Sequence, residues 1–209
     1  AIMCGIIGYM GYQEPGDQSF NQALQDMRSR GPDASNQIRH SEKKSETILK
    51  FGHTRLAIID IDKGADQPFV TEAGILVFNG EIYNYLELRD ELQSAGAHFK
   101  TKSDTEVLAR ALECWGTEAF DKLEGMWAIA WLDKRDNSLL LSRDRFGEKP
   151  LYYGWVGSGT RKAFLFGSEL KALRAYNGFD NSVCREALAQ YMRYMVVPAP
   201  RSIYKNIFK

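Results

Sequence analysis

The chain has 209 residues, with 27 basic and 27 acidic side chains and a formal net charge of zero at pH 7. This length supports one large domain or two small ones, and the balanced, interspersed charge argues against a nucleic-acid surface. No apolar run approaches the roughly 18 residues of a membrane span, and no signal-type segment opens the chain. The cysteines, Cys4, Cys114 and Cys184, lack the spacing of a disulfide framework or a zinc site. The sequence therefore predicts a soluble cytoplasmic protein that binds neither nucleic acid nor membrane.

Short apolar runs rich in β-branched and aromatic residues alternate with helical patterns along the chain. The first strand-like run is “CGIIGYM”, and two later stretches, “MWAIAWLDKRDNSLLLSRD” and “LYYGWVGSGTRKAFLF”, contain turn residues that predict hairpins. Apolar periodicity predicts helices over 18–28 and 84–95, and “SDTE” from Ser103 has the spacing of a capping box. These patterns predict an α+β protein whose helices cover the outer faces of two sheets.

Cys4, in the opening “AIMCGIIGYMG”, is open to two interpretations. A free cysteine is usually a small buried hydrophobe. A nucleophilic cysteine needs a base, because the thiolate attacks. If Met3 were an initiator that is removed, the α-amine of Cys4, with a pKa of about 8, would serve. Among the histidines, His53 lies in a motif-like stretch where packing or a hydrogen bond is favoured over catalysis, so a papain-like Cys/His pair has little support.

Three further positions each have a structural and a functional interpretation. Asn79 and Gly80 in “VFNGEIYN” form a turn by default, or supply two donors to one oxyanion. Arg55 in “GHTRLAIID” forms an ion pair by default, or binds a substrate carboxylate through its planar fork. Asp104 at a helix start complements the helix dipole, or accepts a substrate ammonium. Together with a cysteine nucleophile, these groups fit hydrolysis of an amino acid's side-chain amide, with glutamine as the obvious candidate.

Six segments in chain order resemble the glutaminase domain of class II glutamine amidotransferases, in particular the branch of glutamine-hydrolysing asparagine synthetases. They are “MCGIIG”, “RSRGPD”, “GHTRLAIID”, “FNGEIYNY”, “SDTEVL” and “RDRFGEKPLYY”. The resemblance implies an N-terminal nucleophile hydrolase fold, a four-layer αββα sandwich of two mainly antiparallel sheets. The phosphosugar and phosphoribosyl branches of class II share the opening and the Arg and Asn-Gly site, but the full combination is more similar to the asparagine branch.

The resemblance also implies a role for each candidate residue. Cys4 matches the nucleophile, and Asn79 and Gly80 match the oxyanion hole. Glu81 and Asp104 match the polar groups around the substrate's amino end. The substrate carboxylate site matches Arg55 with the backbone of Leu56, Ala57, Ile58 and Ile59. The segments 30–33 and 144–153 are interpreted as structural, because no step of the mechanism needs them, and no cofactor or metal is implied in this domain.

Partners outside the sequence follow from the same resemblance. The family's second domain activates an acceptor acid with ATP and Mg²⁺ through an “SGGxDS”-type loop, and this sequence has no such segment. We therefore predict a glutaminase domain over 4–185 that supplies ammonia to a covalently linked synthetase domain, and a linker with the start of that missing domain over 186–209. Aspartate is the commonest acceptor, other acids stay open, and a homodimer is one option for the assembly.

Residues 1–3 depart from the family, in which the cysteine is the first residue of the mature protein. With Ala1 and Ile2 attached, the α-nitrogen of Cys4 is an amide and cannot act as a base. We interpret Ala1 and Ile2 as expression remnants before an initiator Met3, with a short propeptide as the second option, and expect poor glutaminase activity until they are removed. Two alternatives stay open: a non-catalytic glutamine-binding or interaction domain, and an N-terminal nucleophile amidase for another amide.

Overall fold

The computed structural model describes residues 4–41, 46–56 and 66–209, the side chain of residue 161 excepted. Within these ranges the strands are β1 Gly5–Gly11, β2 Ala34–Ser41, β3 Ile48–Arg55, β4 Phe69–Val70, β5 Gly74–Ile82, β6 Gly125–Asp133, β7 Ser138–Arg143, β8 Tyr152–Val156, β9 Ala163–Gly167 and β10 Ile207–Phe208. The helices are α1 Asp17–Asp26, α2 Tyr85–Ser94, α3 Asp104–Trp115, α4 Ala119–Lys122, α5 Leu170–Arg174 and α6 Arg185–Tyr194.

These strands form two antiparallel sheets. The six-stranded sheet has the order β10-β8-β9-β1-β3-β2, and the four-stranded sheet has the order β4-β5-β6-β7. Both predicted hairpins are present, as β6 with β7 and β8 with β9. Strand β1 lies inside its sheet, between β3 and β9, so Cys4, the residue directly before it, is held at a fixed point of the core.

Apolar side chains divide the molecule into four layers. Alternate residues of β1 and β3 pack against alternate residues of β5 and β6 between the two sheets. Helices α2 and α3 cover the outer face of the four-stranded sheet, and α1 and α5 cover the outer face of the six-stranded sheet. This order of helix, sheet, sheet and helix confirms the predicted αββα sandwich.

Helix α3 begins where the capping pattern predicts. The Ser103 side chain accepts the backbone N–H of Glu106 at 3.3 Å. The Glu106 carboxylate, however, does not return to Ser103; it accepts the backbone N–H groups of Lys100 at 3.0 Å and Thr101 at 2.6 Å. The loop before the helix is therefore fixed by the first turn, which carries Asp104.

The C-terminal segment contributes to the six-stranded sheet. β10 pairs with β8, and Ile207, opposite Gly154, is 2% exposed in the core beneath that sheet. The close approach of β10 requires a glycine at position 154, because a Cβ there would lie 2.0 Å from the Asn206 carbonyl oxygen. The domain boundary at residue 185 stays a prediction. It would place β10 outside the domain whose six-stranded sheet this strand extends.

Candidate active site

Strand alternation directs the predicted site residues toward the space between the sheets. In a strand every second side chain faces the same way. Ile6, Phe51 and Val77 pack between the sheets. In steps of two, the same faces then carry Cys4 before β1, His53 and Arg55 in β3, and Asn79 and Glu81 in β5.

Cys4 is held by contacts to Leu56, directly after β3, and to Arg30, in the segment between α1 and β2. The Leu56 backbone N–H lies 3.4 Å from Sγ, and the thiol lies 3.7 Å from the Leu56 carbonyl oxygen. Arg30 donates from Nε to the Cys4 carbonyl oxygen at 3.0 Å, and its Nη1 lies 3.2 Å from Glu169 Oε1. The segment 30–33, interpreted from sequence as structural, thus contacts the predicted nucleophile through its first residue.

The environment of Cys4 favours the neutral thiol in the unliganded chain. Burial raises the thiol pKa, and the Leu56 N–H and the nearby Arg55 and Arg30 guanidinium groups oppose that rise without cancelling it. A raised pKa means that few thiolates exist at neutral pH, so attack by this sulfur needs a base.

Asn79 and Gly80 lie inside β5, opposite Ala128 and Trp127 of β6, and they do not form a turn. Gly80 is required by a close approach of the backbone, since a Cβ there would lie 2.1 Å from the Met126 carbonyl oxygen. Asn79 is 1% exposed, and its Nδ2 has no hydrogen-bond partner among the described residues. A buried amide donor without a partner carries a desolvation cost, and a substrate oxygen would satisfy it.

Arg55 forms the ion pair that is the default interpretation of its position in the sequence. Its side chain is 11% exposed and pairs with Asp66 through Nη1. The same guanidinium lies near enough to Cys4 to lower the thiol pKa. Leu56, the next residue, supplies the backbone contacts to the sulfur described above. Ala57, Ile58 and Ile59, also predicted for the carboxylate site, lie outside the described residues.

Asp104 and Glu81 approach one another at the far end of β5. Asp104 Oδ2 accepts the Ile82 backbone N–H at 3.2 Å from the first turn of α3. Burial raises the pKa of the Asp104 carboxyl, the Ile82 and Thr105 N–H groups oppose that rise, and the negative charge of Glu81 adds to it. The Glu81 charge thus acts on Asp104, and a substrate ammonium beside the two carboxyl groups would offset their repulsion.

His53 is buried between the sheets, opposite Ile6 of β1. Burial lowers its pKa to about 3, opposed by the Phe78 backbone and assisted by the Arg55 charge, so the imidazole is neutral at physiological pH. Neither ring nitrogen reaches hydrogen-bond geometry with a group of the described residues. This environment agrees with the sequence interpretation of His53 as a packed side chain.

Gln67 is a site neighbour that sequence patterns did not single out. Its Oε1 accepts the Phe78 backbone N–H at 2.5 Å, directly before Asn79, and its Nε2 donates to Thr105 Oγ1 at 3.5 Å, directly after Asp104. The sequence signal available was a glutamine before a proline, which indicates a loop and not a buried bridge. In the described part of the chain no cluster of three or more His, Cys, Asp or Glu side chains could hold a metal ion.

The order of helix, sheet, sheet and helix, with Cys4 at the entrance of an inner strand, is that of the N-terminal nucleophile hydrolase fold. Residues 3–209 match the family model described as “Glutamine amidotransferase domain”. The chain belongs to this family. None of the helices formed by the described residues is long and apolar enough to cross a membrane.

Curated relatives name the reaction of longer proteins. The chain is 38% identical over 214 residues to “Asparagine synthetase [glutamine-hydrolyzing] 1” of Bacillus subtilis, covering 99% of this chain and 32% of the relative. It is 33% identical to “Putative asparagine synthetase [glutamine-hydrolyzing] 2” of Methanocaldococcus jannaschii, covering 99% of this chain and 42% of that protein. The chain thus spans 32% of the first relative's length and 42% of the second's.

Solved structures share the fold. The B. subtilis glutamine phosphoribosylpyrophosphate amidotransferase superposes with a TM-score of 0.66 at 21% identity, covering 83% of this chain and 44% of that one. A second structure, described as the allosteric regulatory enzyme of purine biosynthesis, gives a TM-score of 0.67 at 20% identity over 84% of this chain and 44% of that one. At these identities the likeness supports the fold class.

Proposed function

We propose that this chain hydrolyses L-glutamine to glutamate and ammonia through a γ-glutamyl thioester on Cys4. One observation carries the proposal: strand alternation places Cys4, and Asn79 with a buried Nδ2 that has no partner among the described residues, on the two sheet faces that pack together. Membership of the glutamine amidotransferase domain family supports glutamine as the substrate.

The reaction begins with a proton transfer from the Cys4 thiol to a base, because the raised thiol pKa leaves few thiolates at neutral pH. In a chain that starts at Cys4, the α-amine takes the thiol proton, directly or through one water. Sulfur then attacks the substrate carboxamide carbon, and Asn79 Nδ2 with the Gly80 N–H stabilise the oxyanion. The α-ammonium returns its proton to the carboxamide nitrogen as the tetrahedral intermediate collapses, ammonia leaves, and water then cleaves the thioester to give glutamate and the free thiol.

The charged groups of the site would orient the substrate. Arg55, with the Leu56 backbone, binds the α-carboxylate and keeps Asp66 as a second partner, while Glu81 and Asp104 accept the α-ammonium. The ammonia is supplied to an ATP-dependent asparagine synthetase-type domain outside this chain, with aspartate as the acceptor or another acid in its place. The names of the two longer relatives support this assignment.

The test is glutamine-dependent ammonia release by a chain that begins at Ala1 and by the same chain processed to begin at Cys4. We expect release from the second form alone, because an acylated α-nitrogen cannot accept the thiol proton. Cys4→Ala should abolish release and leave the fold intact, and Cys114→Ala, at an exposed thiol, should change nothing. Ammonia release by Cys4→Ala would refute the nucleophile; glutamine binding without release from the Cys4 form would favour a non-catalytic domain.

A further inference from the structure

The free edge of β5 presents a row of backbone N–H groups to the site. Hydrogen bonds alternate along an antiparallel pair, so every second residue turns its N–H away from the partner strand. Trp127, opposite Gly80, turns its backbone to β7, because its carbonyl accepts the Asp144 N–H at 2.9 Å and its N–H lies 3.3 Å from Asp144 Oδ2. The N–H groups of Phe78, Gly80 and Ile82 therefore point away from β6.

Side chains occupy this edge on both sides of Gly80. Strand β4 begins at Phe69, too late to pair with Phe78, since its register joins Phe69 to Leu76 and Val70 to Ile75. Gln67 Oε1 accepts the Phe78 N–H at 2.5 Å in place of a strand. Beyond Gly80, Asp104 Oδ2 accepts the Ile82 N–H at 3.2 Å. The Gly80 N–H lies between these two filled positions, and no side chain of the described residues accepts it, so it is a candidate donor to a ligand.

Gln67 is itself fixed at its other end. Its Nε2 lies 3.5 Å from Thr105 Oγ1, and the side chains of both residues are buried, with Gln67 7% and Thr105 5% exposed. One amide therefore joins the peptide before Asn79 to the first turn of α3, next to Asp104. Removal of a buried partner of this kind leaves a backbone donor unsatisfied, and the local backbone shifts to find another acceptor.

We propose that Gln67 is a positioning residue for the oxyanion hole: by holding the Phe78 N–H on the β5 edge, it sets the direction of the adjacent Asn79 amide and of the Gly80 N–H. The proposal rests on the proposed function, because the oxyanion is that of glutamine hydrolysis. A misdirected donor loses mainly transition-state stabilisation, since the tetrahedral oxygen needs a narrower geometry than the ground-state carbonyl.

Gln67→Leu separates positioning from stability. We expect kcat for ammonia release to fall tenfold or more while the KM for glutamine stays within about twofold. An aldehyde analogue of glutamine, which adds the Cys4 thiol across its carbonyl to give a tetrahedral thiohemiacetal, should lose affinity by a similar factor, and the affinity for glutamate should not change. Gln67→Glu keeps an acceptor for the Phe78 N–H and should restore part of kcat.

The matched control is Thr71→Val, at a residue whose side chain contacts Gly74, the first residue of β5. Thr71 Oγ1 accepts the Gly74 backbone N–H at 3.0 Å, so this variant also removes a buried side-chain bond to β5. We expect it to lower stability without changing kcat or analogue affinity. Equal kinetic losses in Gln67→Leu and Thr71→Val, or wild-type kcat in Gln67→Leu, would overturn the proposal. If Gln67→Leu does not fold, Gln67→Met, which also removes the amide oxygen that accepts the Phe78 N–H, takes its place, and wild-type kcat in folded Gln67→Met overturns the proposal.

Amide hydrogen exchange tests the same contact without any enzymatic activity. Exchange at the Phe78 N–H should be at least tenfold faster in Gln67→Leu than in the wild type and unchanged in Thr71→Val. Unchanged protection of Phe78 in folded Gln67→Leu refutes the positioning role. Absence of ammonia release from the wild-type chain beginning at Cys4 refutes the proposed function instead, so the two failures are distinguishable.

Discussion

Arg55 illustrates how a single residue can serve stability and recognition. Its guanidinium is buried enough to need a partner in the unliganded chain, and Asp66 supplies one. A planar fork with several N–H groups can contact more than one acceptor, so an ion pair does not exclude a substrate carboxylate. The default ion pair and the predicted substrate contact are therefore compatible, and kinetics of Arg55 variants can separate them.

Arg55→Ala should raise the KM for glutamine tenfold or more and leave kcat within a few-fold. A charge-assisted hydrogen bond to a carboxylate contributes about 1.5–3 kcal/mol, and that contact is present in both ground and transition states. Steady-state ammonia release by the chain beginning at Cys4 measures both constants. Arg39→Ala, which removes an exposed ion pair with Glu14, is the control. A wild-type KM for Arg55→Ala would exclude this residue from the substrate site.

The lowered pKa of His53 should make the folded protein less stable at acidic pH than at neutral pH. Its pKa falls from 6.5 to about 3 on folding. The stability that it contributes is fully present above pH 6.5, is lost progressively as the pH falls toward about 3, and is gone below that value. The slope is about 1.4 kcal/mol per pH unit, so the loss between pH 6.5 and 4.5 is about 2–3 kcal/mol.

The comparison that isolates this effect is His53→Gln against the wild type, with denaturant unfolding at pH 7 and pH 4.5. The variant should lose about 2–3 kcal/mol less than the wild type between these pH values, because a neutral amide does not titrate. His98→Gln, at an exposed position, should lose as much as the wild type. An equal loss in His53→Gln would mean that the buried imidazole does not titrate as its environment predicts.

At the scale of elements, the segment 144–150 is organised by one carboxylate. Asp144 accepts the backbone N–H groups of Phe146 at 3.1 Å, Glu148 at 2.9 Å and Lys149 at 3.0 Å, and that of Trp127 in β6 at 3.3 Å. Burial raises the Asp144 pKa, but these four donors outweigh it and leave the pKa below its usual value. This geometry supports the structural interpretation of “RDRFGEKPLYY”.

Asp144→Asn should lower the free energy of unfolding by about 1–3 kcal/mol. The substituted amide turns an NH₂ group toward two of the backbone donors, so at least one buried N–H loses its acceptor. Urea unfolding at pH 7 measures the change. Asp136→Asn is the control, because Asp136 accepts a single N–H, that of Ser138, in an exposed turn. A loss no greater than that of the control would mean that the loop holds its shape without the carboxylate.

The elements predicted correctly are those with local signals. The turn residues between β6 and β7 and the Ser103 cap depend on neighbours within a few positions, and apolar periodicity located α1 and α2 to within two residues. Asn79 and Gly80 followed the opposite course. The dipeptide Asn79-Gly80 indicates a turn by itself. Both residues nevertheless lie in strand β5, because they pair with β6, some 50 residues away in sequence.

The site residues divide in the same way, into those that sequence motifs indicate and those that depend on tertiary contacts. The resemblance singled out Cys4, Asn79 and Arg55, whose side chains face one space between the sheets. Gln67 and Asp66 were not found, because their partners, the Phe78 N–H and the Arg55 guanidinium, lie 11 residues away and meet them only through tertiary packing. A residue whose role is to satisfy a distant backbone group has no periodicity or spacing to reveal it.

At the scale of the whole molecule, the open question is which residues make up the folding unit. The sequence predicts a domain over 4–185, yet β10 extends the six-stranded sheet from residues 207–208, and Ile207 fills a buried position. The Arg201 side chain also pairs with Glu186, across the predicted linker. These contacts argue that the segment 186–209 contributes to the stability of the glutaminase fold itself.

A chain ending at residue 185 should therefore be less stable than one ending at residue 209. Burial of a side chain such as Ile207 stabilises a fold by about 1.5–3 kcal/mol, and removal of β10 also leaves β8 as an unpaired edge. Ile207→Ala in the full chain should reproduce the packing part of the loss by leaving a cavity. Phe208→Ala, at a half-exposed neighbour on the other face of β10, should cost less. Thermal unfolding of the four proteins decides the matter: equal midpoints for the two chain lengths would support a boundary at residue 185, and a lower midpoint for the short chain would move it beyond β10.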